Sequence, residues 1–310
     1  MSARVPGSVD GPSTTLTPDA QVETVPAPID PLGSPEAIAA TITEIERAIR
    51  DEALAPDETA AWGRSQQRAY QALARRPEWD ETVRALLPVD VVPAFDAIVG
   101  ARRAPADHAA RRAAEREPGK TAPPPSPTLP AWRIVEPPPI EDLLGWYREA
   151  EAATGVPWSY LAAIHLVETR MGRIDGVSSA GAVGPMQFLP TTWEACCVGD
   201  PRDQRDAIIG AATYLVDRGA PADMRGALYG YNPNDGYVGA VEAYASLLAA
   251  DERAYHGFHA WEVYVGSAAG TVRLPVGYEA DEPVDATTWV ASEPDSLAPL
   301  PRSVRRPPRS

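Results

Sequence analysis

The sequence predicts a mainly α-helical protein, and three observations support this fold class. Apolar residues recur three and four positions apart in several segments between residues 35 and 250, which is the period of an amphipathic helix. Capping residues, proline and glycine stand where such helices would begin and end. The alternating segment from Trp261 to Leu274 predicts a small β element, in which Gly266 and Gly270 indicate a hairpin.

Composition divides the chain into five predicted regions. Its 310 residues, of which 44% are hydrophobic, suffice for one large or two modest domains. Residues 1–33 are rich in Pro, Ser and Thr, and residues 279–310 are acidic and then rich in Pro and Arg. Both lack a helical period, so we expect a disordered leader and a disordered tail. Between them we predict a helical bundle at 34–103, a Pro-rich linker at 104–139 and a main domain at 140–278.

The predicted bundle begins with Ser34 and Pro35, which suit an N-cap and a first helical position. One face of this first helix carries four isoleucines, at Ile38, Ile42, Ile45 and Ile49. Further helices are predicted near residues 56–75, 78–87 and 89–102. The sequence shows no cluster of convergent polar groups in this region. We therefore expect it to be dispensable for any chemistry and to serve in positioning.

Besides a helix that begins at Pro190, the main domain is predicted to contain five helices. The first has apolar residues at Leu143, Leu144, Tyr147 and Ala150, and the second carries Glu168. Asp203 and Asp206 resemble a capping pair for the third helix. A short fourth helix follows Pro221. Asn234 is a predicted cap for the fifth, whose apolar face holds Tyr237, Val241, Tyr244 and Leu248.

Glu168 is the unusual residue of the second helix. Leu161, Ile164, Glu168 and Met171 share one helical face, which is apolar except for the carboxyl group. Burial against a core favours the protonated carboxyl, and cleavage of a glycosidic bond needs an acid that is still protonated near neutral pH. The alternative is a solvated carboxylate at the rim of the helix, or one paired with Arg170, Arg173 or His165.

The motifs around Glu168 resemble the lytic transglycosylase branch of the lysozyme-like superfamily. They are E-T-x-x-G from Glu168, S-x-A-G-A-x-G-x-x-Q-F-x-P-x-x-W from Ser178 to Trp193, and Y-N at Tyr231 and Asn232. The first two are most similar to the membrane-bound lytic transglycosylase B group, and the third is similar to the soluble group. The resemblance covers roughly residues 132–275. Pro185 departs from it mildly, because a small or aliphatic residue is commoner there.

The resemblance implies a lysozyme-like catalytic domain and a set of site residues. Glu168 would be the catalytic acid, and Tyr231 would hydrogen-bond and orient its carboxyl group. Gln187 would bind an N-acetyl group of a saccharide beside the turn that it forms with Gly184. The full predicted substrate-binding set is Ser178, Gly184, Met186, Gln187, Phe188, Tyr231 and Asn232. Core packing for Met186 and Phe188, and turn formation for Ser178 and Asn232, are the structural alternatives.

The implied reaction uses one carboxyl group twice. Ordinary glycosidases use two carboxyl groups about 5–9.5 Å apart, but the motifs supply only Glu168, and the next carboxylate is Asp175. A lytic transglycosylase would cleave the β-1,4 bond between N-acetylmuramic acid and N-acetylglucosamine without water and leave 1,6-anhydromuramoyl ends. The alternatives are a muramidase that hydrolyses the same bond, with Asp175 as the second carboxylate, and a non-catalytic peptidoglycan-binding scaffold.

Composition and spacing limit the partners and cofactors. The net charge of −15 argues against nucleic acid, and the chain has no apolar run long enough for a transmembrane segment. We expect glycan strands of peptidoglycan as the substrate, cell-wall proteins as candidate partners of the bundle, and a cell-envelope or extracellular location. No export signal is visible in the sequence.

Metal binding and a disulfide are not expected. Asp200, Asp203 and Asp206 lack the spacing of a calcium loop, so we predict no metal site there and no cofactor. Cys196 and Cys197 stand next to each other on a predicted helix, where neighbouring side chains point apart. We therefore expect them to pack in the core without a mutual disulfide.

Overall fold

The protein is mainly helical, as the sequence predicts and as a lysozyme-like fold requires. A computed structural model describes residues 33–114 and 124–296. Nearly all of the predicted leader, part of the predicted linker and the last residues of the predicted tail lie outside these described residues.

The structure consists of helices and a few short strands, and all of the strands follow the first four helices. In order, the helices are α1 (Pro35–Ile49), α2 (Pro56–Leu73), α3 (Asp80–Leu86), α4 (Val92–Ala114), α5 (Ile140–Thr154), α6 (Trp158–Thr169), α7 (Pro190–Cys196), α8 (Gln204–Val216), α9 (Met224–Tyr231), α10 (Asp235–Ala250), α11 (Arg253–His259) and α12 (Ala286–Ser292). The strands are β1 (Thr128–Leu129), β2 (Trp132–Ile134), β3 (Ile174–Gly176), β4 (Val263–Ser267), β5 (Gly270–Leu274) and β6 (Val284–Asp285). They form three antiparallel pairs, β1 with β6, β2 with β3, and β4 with β5.

Several local predictions are confirmed. The Ser34 hydroxyl accepts a hydrogen bond from the Ala37 amide at 3.2 Å and caps α1, whose four isoleucines are fully buried. Asp203 caps α8 by accepting from the Asp206 amide, and Asn234 caps α10. The segment from Trp261 to Leu274 contains the predicted hairpin, β4–β5. These features depend on residues close together in the sequence, which is why local patterns suffice to find them.

The structure differs from the prediction at two region boundaries. Helix α4 continues through Pro105 to Ala114 into the segment predicted as a linker, because α10 packs closely against it there. Residues beyond 279 form β6 and α12, although their composition predicts disorder. Ala286 is fully buried in a second apolar cluster, where the ring of Trp289 lies 5.0 Å from that of Tyr278. Tertiary packing thus supports segments that have no helical or strand pattern of their own.

The first four helices share an apolar core with the later ones. A Cβ atom on Gly236 of α10 would lie 2.8 Å from Cα of Pro105 in α4, which shows how closely the two helices approach. In the same way, a Cβ atom on Gly63 of α2 would lie 2.4 Å from the carbonyl oxygen of Gly257 in α11. This packing speaks against the expectation that residues 34–103 are dispensable, because their removal would expose apolar faces of α10 and α11.

A buried polar network reinforces this packing. Glu46, which is 1% exposed, accepts hydrogen bonds from Gln66 and Tyr70 at 3.0 Å each. Arg50 joins Glu46 at 2.7 Å and Asp251 at 2.6 Å. The Gln66 side-chain oxygen accepts from the Trp261 indole at 3.0 Å. Since breaking one member of such a network leaves buried groups unpaired, it holds α1 and α2 firmly to the rest of the chain.

The prediction about the two cysteines is wrong. Cys196 and Cys197 form a disulfide with each other. Helix α7 ends at Cys196, and the next residue has extended backbone angles (φ −132°, ψ 163°). The argument from neighbouring helical side chains therefore does not apply, because only one of the two residues is helical.

Candidate active site

Helix α6 carries Glu168 one residue from its C-terminal end. The three residues after the helix, Arg170, Met171 and Gly172, all have positive φ angles, so the backbone turns back sharply behind the carboxyl group. The Thr169 hydroxyl donates to the Pro185 carbonyl at 2.6 Å and accepts from the Gly172 amide at 3.1 Å. This hydroxyl fixes the end of α6 against the turn that contains Gln187.

Glu168 is half-buried, and burial raises the pKa of its carboxyl group to about 7. The basic side chains that could pair with it are engaged elsewhere. Arg170 donates to the Leu166 carbonyl, and Arg173 binds Glu136 and the His259 carbonyl. His165 shares a 2.6 Å hydrogen bond with Tyr147. The rim ion pair considered for Glu168 is therefore not formed within the described residues, and the carboxyl group can hold its proton near neutral pH.

The two tyrosines near Glu168 have different roles from those expected. The Tyr231 hydroxyl donates its one proton to the Met186 carbonyl at 2.6 Å, so it cannot also donate to Glu168. The Tyr237 hydroxyl faces Glu168 instead and favours the ionised carboxyl, which lowers the pKa of Glu168 against the larger effect of burial. This contact falls short of full hydrogen-bond geometry and leaves the buried Tyr237 hydroxyl without a full partner among the described residues.

Both tyrosines belong to a packed aromatic cluster behind the site. Their rings are parallel, with centroids 6.4 Å apart. Phe188 contacts Tyr231 edge to face at 5.7 Å, and it contacts Trp193 at 5.1 Å in the same manner. Such contacts restrict ring movement, so the cluster holds Tyr231 and Tyr237 in fixed positions beside the carboxyl group.

The Gly184–Phe188 turn is a rigid wall of the site. Val183 and Phe188 exchange backbone hydrogen bonds at 2.8 and 3.0 Å. A Cβ atom on Gly184 would lie 1.8 Å from the Pro201 carbonyl oxygen, so only glycine fits there. The Gln187 side-chain nitrogen donates to the Gly184 carbonyl at 3.0 Å. Its half-buried side-chain oxygen accepts no hydrogen bond within the described part of the chain, so it remains free to accept from a ligand N–H group.

Other members of the predicted set have structural roles. Met186 is 0% exposed and Phe188 is 2% exposed, so both side chains pack in the core, as the structural alternative for them has it. The Ser178 hydroxyl accepts from the Ala180 and Ala182 amides and shapes its own loop. Asn232 lies at the end of α9 next to Tyr231. Its half-buried side chain forms no hydrogen bond among residues 33–114 and 124–296, so it is available to a ligand.

No second carboxyl group acts together with Glu168 among the described residues. Asp175 is exposed on β3, opposite Arg133 of β2. Among the described residues, the groups that shift the pKa of Glu168 include no other carboxyl. The Asp206 carboxylate accepts a hydrogen bond from the Asp200 amide at 3.0 Å. No grouping of three or more His, Cys, Asp or Glu side chains suited to a metal ion occurs in the described segments.

Sequence reasoning missed Tyr237 as a residue of the site and assigned it only to the apolar face of α10. The signal was its place in the first turn of the helix that follows Tyr231 and Asn232. The predicted Asn234 cap fixes where α10 begins and therefore where this side chain points.

Comparisons with known proteins find a partial similarity to one curated protein. No family model matches the chain, and no solved structure matches it. The chain is similar to a protein of Thiobacillus denitrificans described as a membrane-bound lytic murein transglycosylase F, with 32% identity over 77 residues. The match covers 25% of this chain and 16% of that protein. Within the described residues, no helix is long and apolar enough to cross a membrane.

Proposed function

We propose that this chain is a lytic transglycosylase that cleaves the β-1,4 bond between N-acetylmuramic acid and N-acetylglucosamine in peptidoglycan. The observation that carries the proposal is the single half-buried carboxyl group of Glu168, with a pKa of about 7 and no cationic partner among the described residues. The partial similarity to a murein transglycosylase and the order of the motifs around Glu168 support the substrate class.

The first step uses the protonated form of Glu168. Its proton passes to the glycosidic oxygen as the bond from that oxygen to C1 of the muramic acid breaks. The leaving N-acetylglucosamine gains a hydroxyl group, and the positive charge that develops at C1 is stabilised by the neighbouring 2-acetamido group. Gln187 and Asn232 supply the free polar groups that position the acetamido groups. General acid help of this kind contributes about 10²–10⁴-fold.

The second step uses the same residue as a base. The ionised Glu168 accepts the proton of the 6-hydroxyl group of the muramic acid, and that oxygen attacks C1. The product is a 1,6-anhydromuramoyl end, Glu168 regains its proton, and no water is consumed. The Tyr237 hydroxyl favours the ionised carboxylate that exists between the two steps, and catalytic hydrogen bonds often become short and well aligned only with substrate bound.

Activity on purified cell walls tests this proposal. The Glu168→Gln variant keeps the shape of the side chain but can neither deliver nor accept the proton, so it should lose nearly all turnover while still binding glycan. Asp175→Asn is the matched control, because Asp175 would be essential only to a hydrolase with two carboxyl groups. Full activity of Glu168→Gln would refute the proposal, and a dead wild-type chain that binds glycan would favour the scaffold.

The location and partners follow from the proposed substrate. A chain that acts on murein works in the cell envelope or outside the cell. Cell-wall proteins are the proposed partners of the region 34–103.

A further inference from the structure

A cavity of about 210 Å³ opens to solvent where α2 meets β2, the end of α11 and the β4–β5 hairpin. Three buried side chains, Ile134, Val263 and Leu274, give it an apolar lining. Four charged side chains line it as well, namely Arg64, Glu136, Arg173 and Glu262. None of the residues that line this cavity belongs to the candidate active site, so it is a separate feature of the fold.

The wall between α2 and the hairpin is held by a ring of hydrogen bonds. The Gln67 side chain donates to the Glu262 carbonyl and accepts from the Glu262 amide, both at 2.8 Å. The Glu262 carboxylate in turn accepts from Arg273 at 3.0 Å and from the Tyr264 hydroxyl at 3.2 Å. The charge of Glu262 is therefore already paired, and the cavity has one wall that is rigid before any ligand arrives.

The two arginines of the cavity have incomplete sets of partners. Arg64 is half-buried, and its side chain forms no hydrogen bond or ion pair within the described residues. Arg173 is only 9% exposed. It donates to Glu136 at 3.3 Å and to the His259 carbonyl at 3.1 Å, but its Nε is buried and has no partner among the described groups. A buried donor without a partner is costly, so both arginines can gain from a bound acceptor.

The charges around the cavity do not balance. Glu262 is neutralised by Arg273. The Glu136 side chain is 75% exposed and reaches Arg173 through one long contact, and exposed ion pairs of this kind contribute little. Even with that pair counted, the charge of Arg64 remains without compensation among the described residues. Burial lowers the pKa of Arg173, and the charge of Arg64 adds to this effect. One negative charge would complete the cavity.

We propose that this cavity binds a small aliphatic monocarboxylate. Its carboxylate would pair with Arg64 and Arg173, and its hydrocarbon body would lie against Ile134, Val263 and Leu274. A planar guanidinium matches the geometry of a carboxylate, and an apolar lining with a few convergent polar groups is typical of small-molecule sites. An apolar cavity of about 150 Å³ holds benzene, so this one accepts a slightly larger molecule.

Such a ligand would join the two halves of the chain. Arg64 lies on α2, and Arg173 follows the turn that ends α6. A carboxylate held by both would connect the first helices to the segment just behind Glu168. Binding itself does not depend on murein cleavage, because no residue of the candidate active site takes part in it.

An NMR titration of the ¹⁵N-labelled full-length chain with isocaproate, a branched aliphatic monocarboxylate, tests this site. We expect saturable shifts of amide signals around the cavity, with a Kd of about 0.1–1 mM for a ligand of this size. Isocaproamide has the same shape without the charge and should bind about tenfold more weakly or less. Leucine adds an ammonium group to the same skeleton, and inorganic phosphate lacks a hydrocarbon body, so both should also bind more weakly.

Three variants test the assigned residues. Arg64→Gln should weaken isocaproate binding about ten- to hundredfold, as expected for a lost charged hydrogen bond, and Arg64→Lys should restore part of it. Arg68→Gln is the matched control, because it makes the same change of charge one turn along α2 on a side chain that does not line the cavity. Val276→Asp places a negative charge on the lining at an exposed position, so it should weaken binding without disturbing the core.

Each contrary result would overturn the proposal. These results are the absence of saturable shifts with isocaproate, shifts centred away from the cavity, equal Kd values for isocaproate and its amide, and tighter binding of leucine or phosphate. Equal affinities of Arg64→Gln and Arg68→Gln for isocaproate would also overturn it. Because the titration contains no murein, its outcome is independent of whether the chain cleaves glycan.

Discussion

Replacing Glu168 by Gln should stabilise the protein at high pH and change its stability little at low pH. Burial raises the pKa of this carboxyl from 4.5 to about 7, so the folded chain keeps a proton that the unfolded chain releases. Stability contributed by the protonated carboxyl is therefore fully present below pH 4.5 and is lost as the pH rises to about 7. Glutamine is neutral at every pH and avoids this loss.

The size of the effect follows from the two pKa values. They differ by about 2.5, and each pKa unit corresponds to about 1.36 kcal/mol. Above about pH 8 the variant should therefore be about 3 kcal/mol more stable than the wild type, an upper figure because the half-buried group is partly screened by water. Near pH 4 the two should differ only by the change from acid to amide.

Urea unfolding of both proteins at several pH values measures this difference directly. The slope of the transition should stay the same, so that the midpoints report stability alone. Glu194→Gln serves as the control, because it removes an exposed carboxyl from α7. A stability difference between Glu168→Gln and the wild type that is independent of pH would refute the assigned burial of the carboxyl, whatever the activity of the variant.

Two further substitutions test the contact of Tyr237 with Glu168 and the packing of α4 against α10. Tyr237→Phe removes the hydroxyl that favours the ionised carboxyl. The alkaline limb of the kcat/KM profile should therefore move to higher pH while kcat falls, and an unchanged profile would contradict this role. Gly236→Ala places a Cβ atom 2.8 Å from the Pro105 backbone and should cost about 1–3 kcal/mol of unfolding free energy. A Cβ atom on Gly266 would meet nothing within 4 Å, so Gly266→Ala should not lower the unfolding free energy by that amount. Equal losses of unfolding free energy from the two substitutions would show that α4 does not pack closely on α10.

The predictable parts of this protein depend on short stretches of sequence. The isoleucines of α1 and the caps at Asp203 and Asn234 follow from local spacing, and the structure places them as expected. The unusual position of Glu168 was also visible, because a carboxyl on an apolar helical face stands out against its neighbours.

The remaining features depend on contacts between distant segments. Helix α12 is held by Ala286 and Trp289 in an apolar cluster that no local pattern reveals. The Tyr231 hydroxyl binds the Met186 carbonyl, 45 residues away, so its partner could not be found from spacing. The close packing of α4 on α10 at Gly236 is likewise invisible to local patterns, since composition suggests a separate bundle.

The chemical nature of the released glycan ends tells a lytic transglycosylase from a hydrolase. Murein is digested in ¹⁸O-labelled water, and the fragments are analysed by mass spectrometry before and after borohydride reduction. A lytic transglycosylase should leave 1,6-anhydromuramoyl ends that resist reduction and carry no label, and Glu168→Gln should leave no such ends. Reducible muramic acid ends that contain ¹⁸O would contradict the proposed reaction and establish a hydrolase.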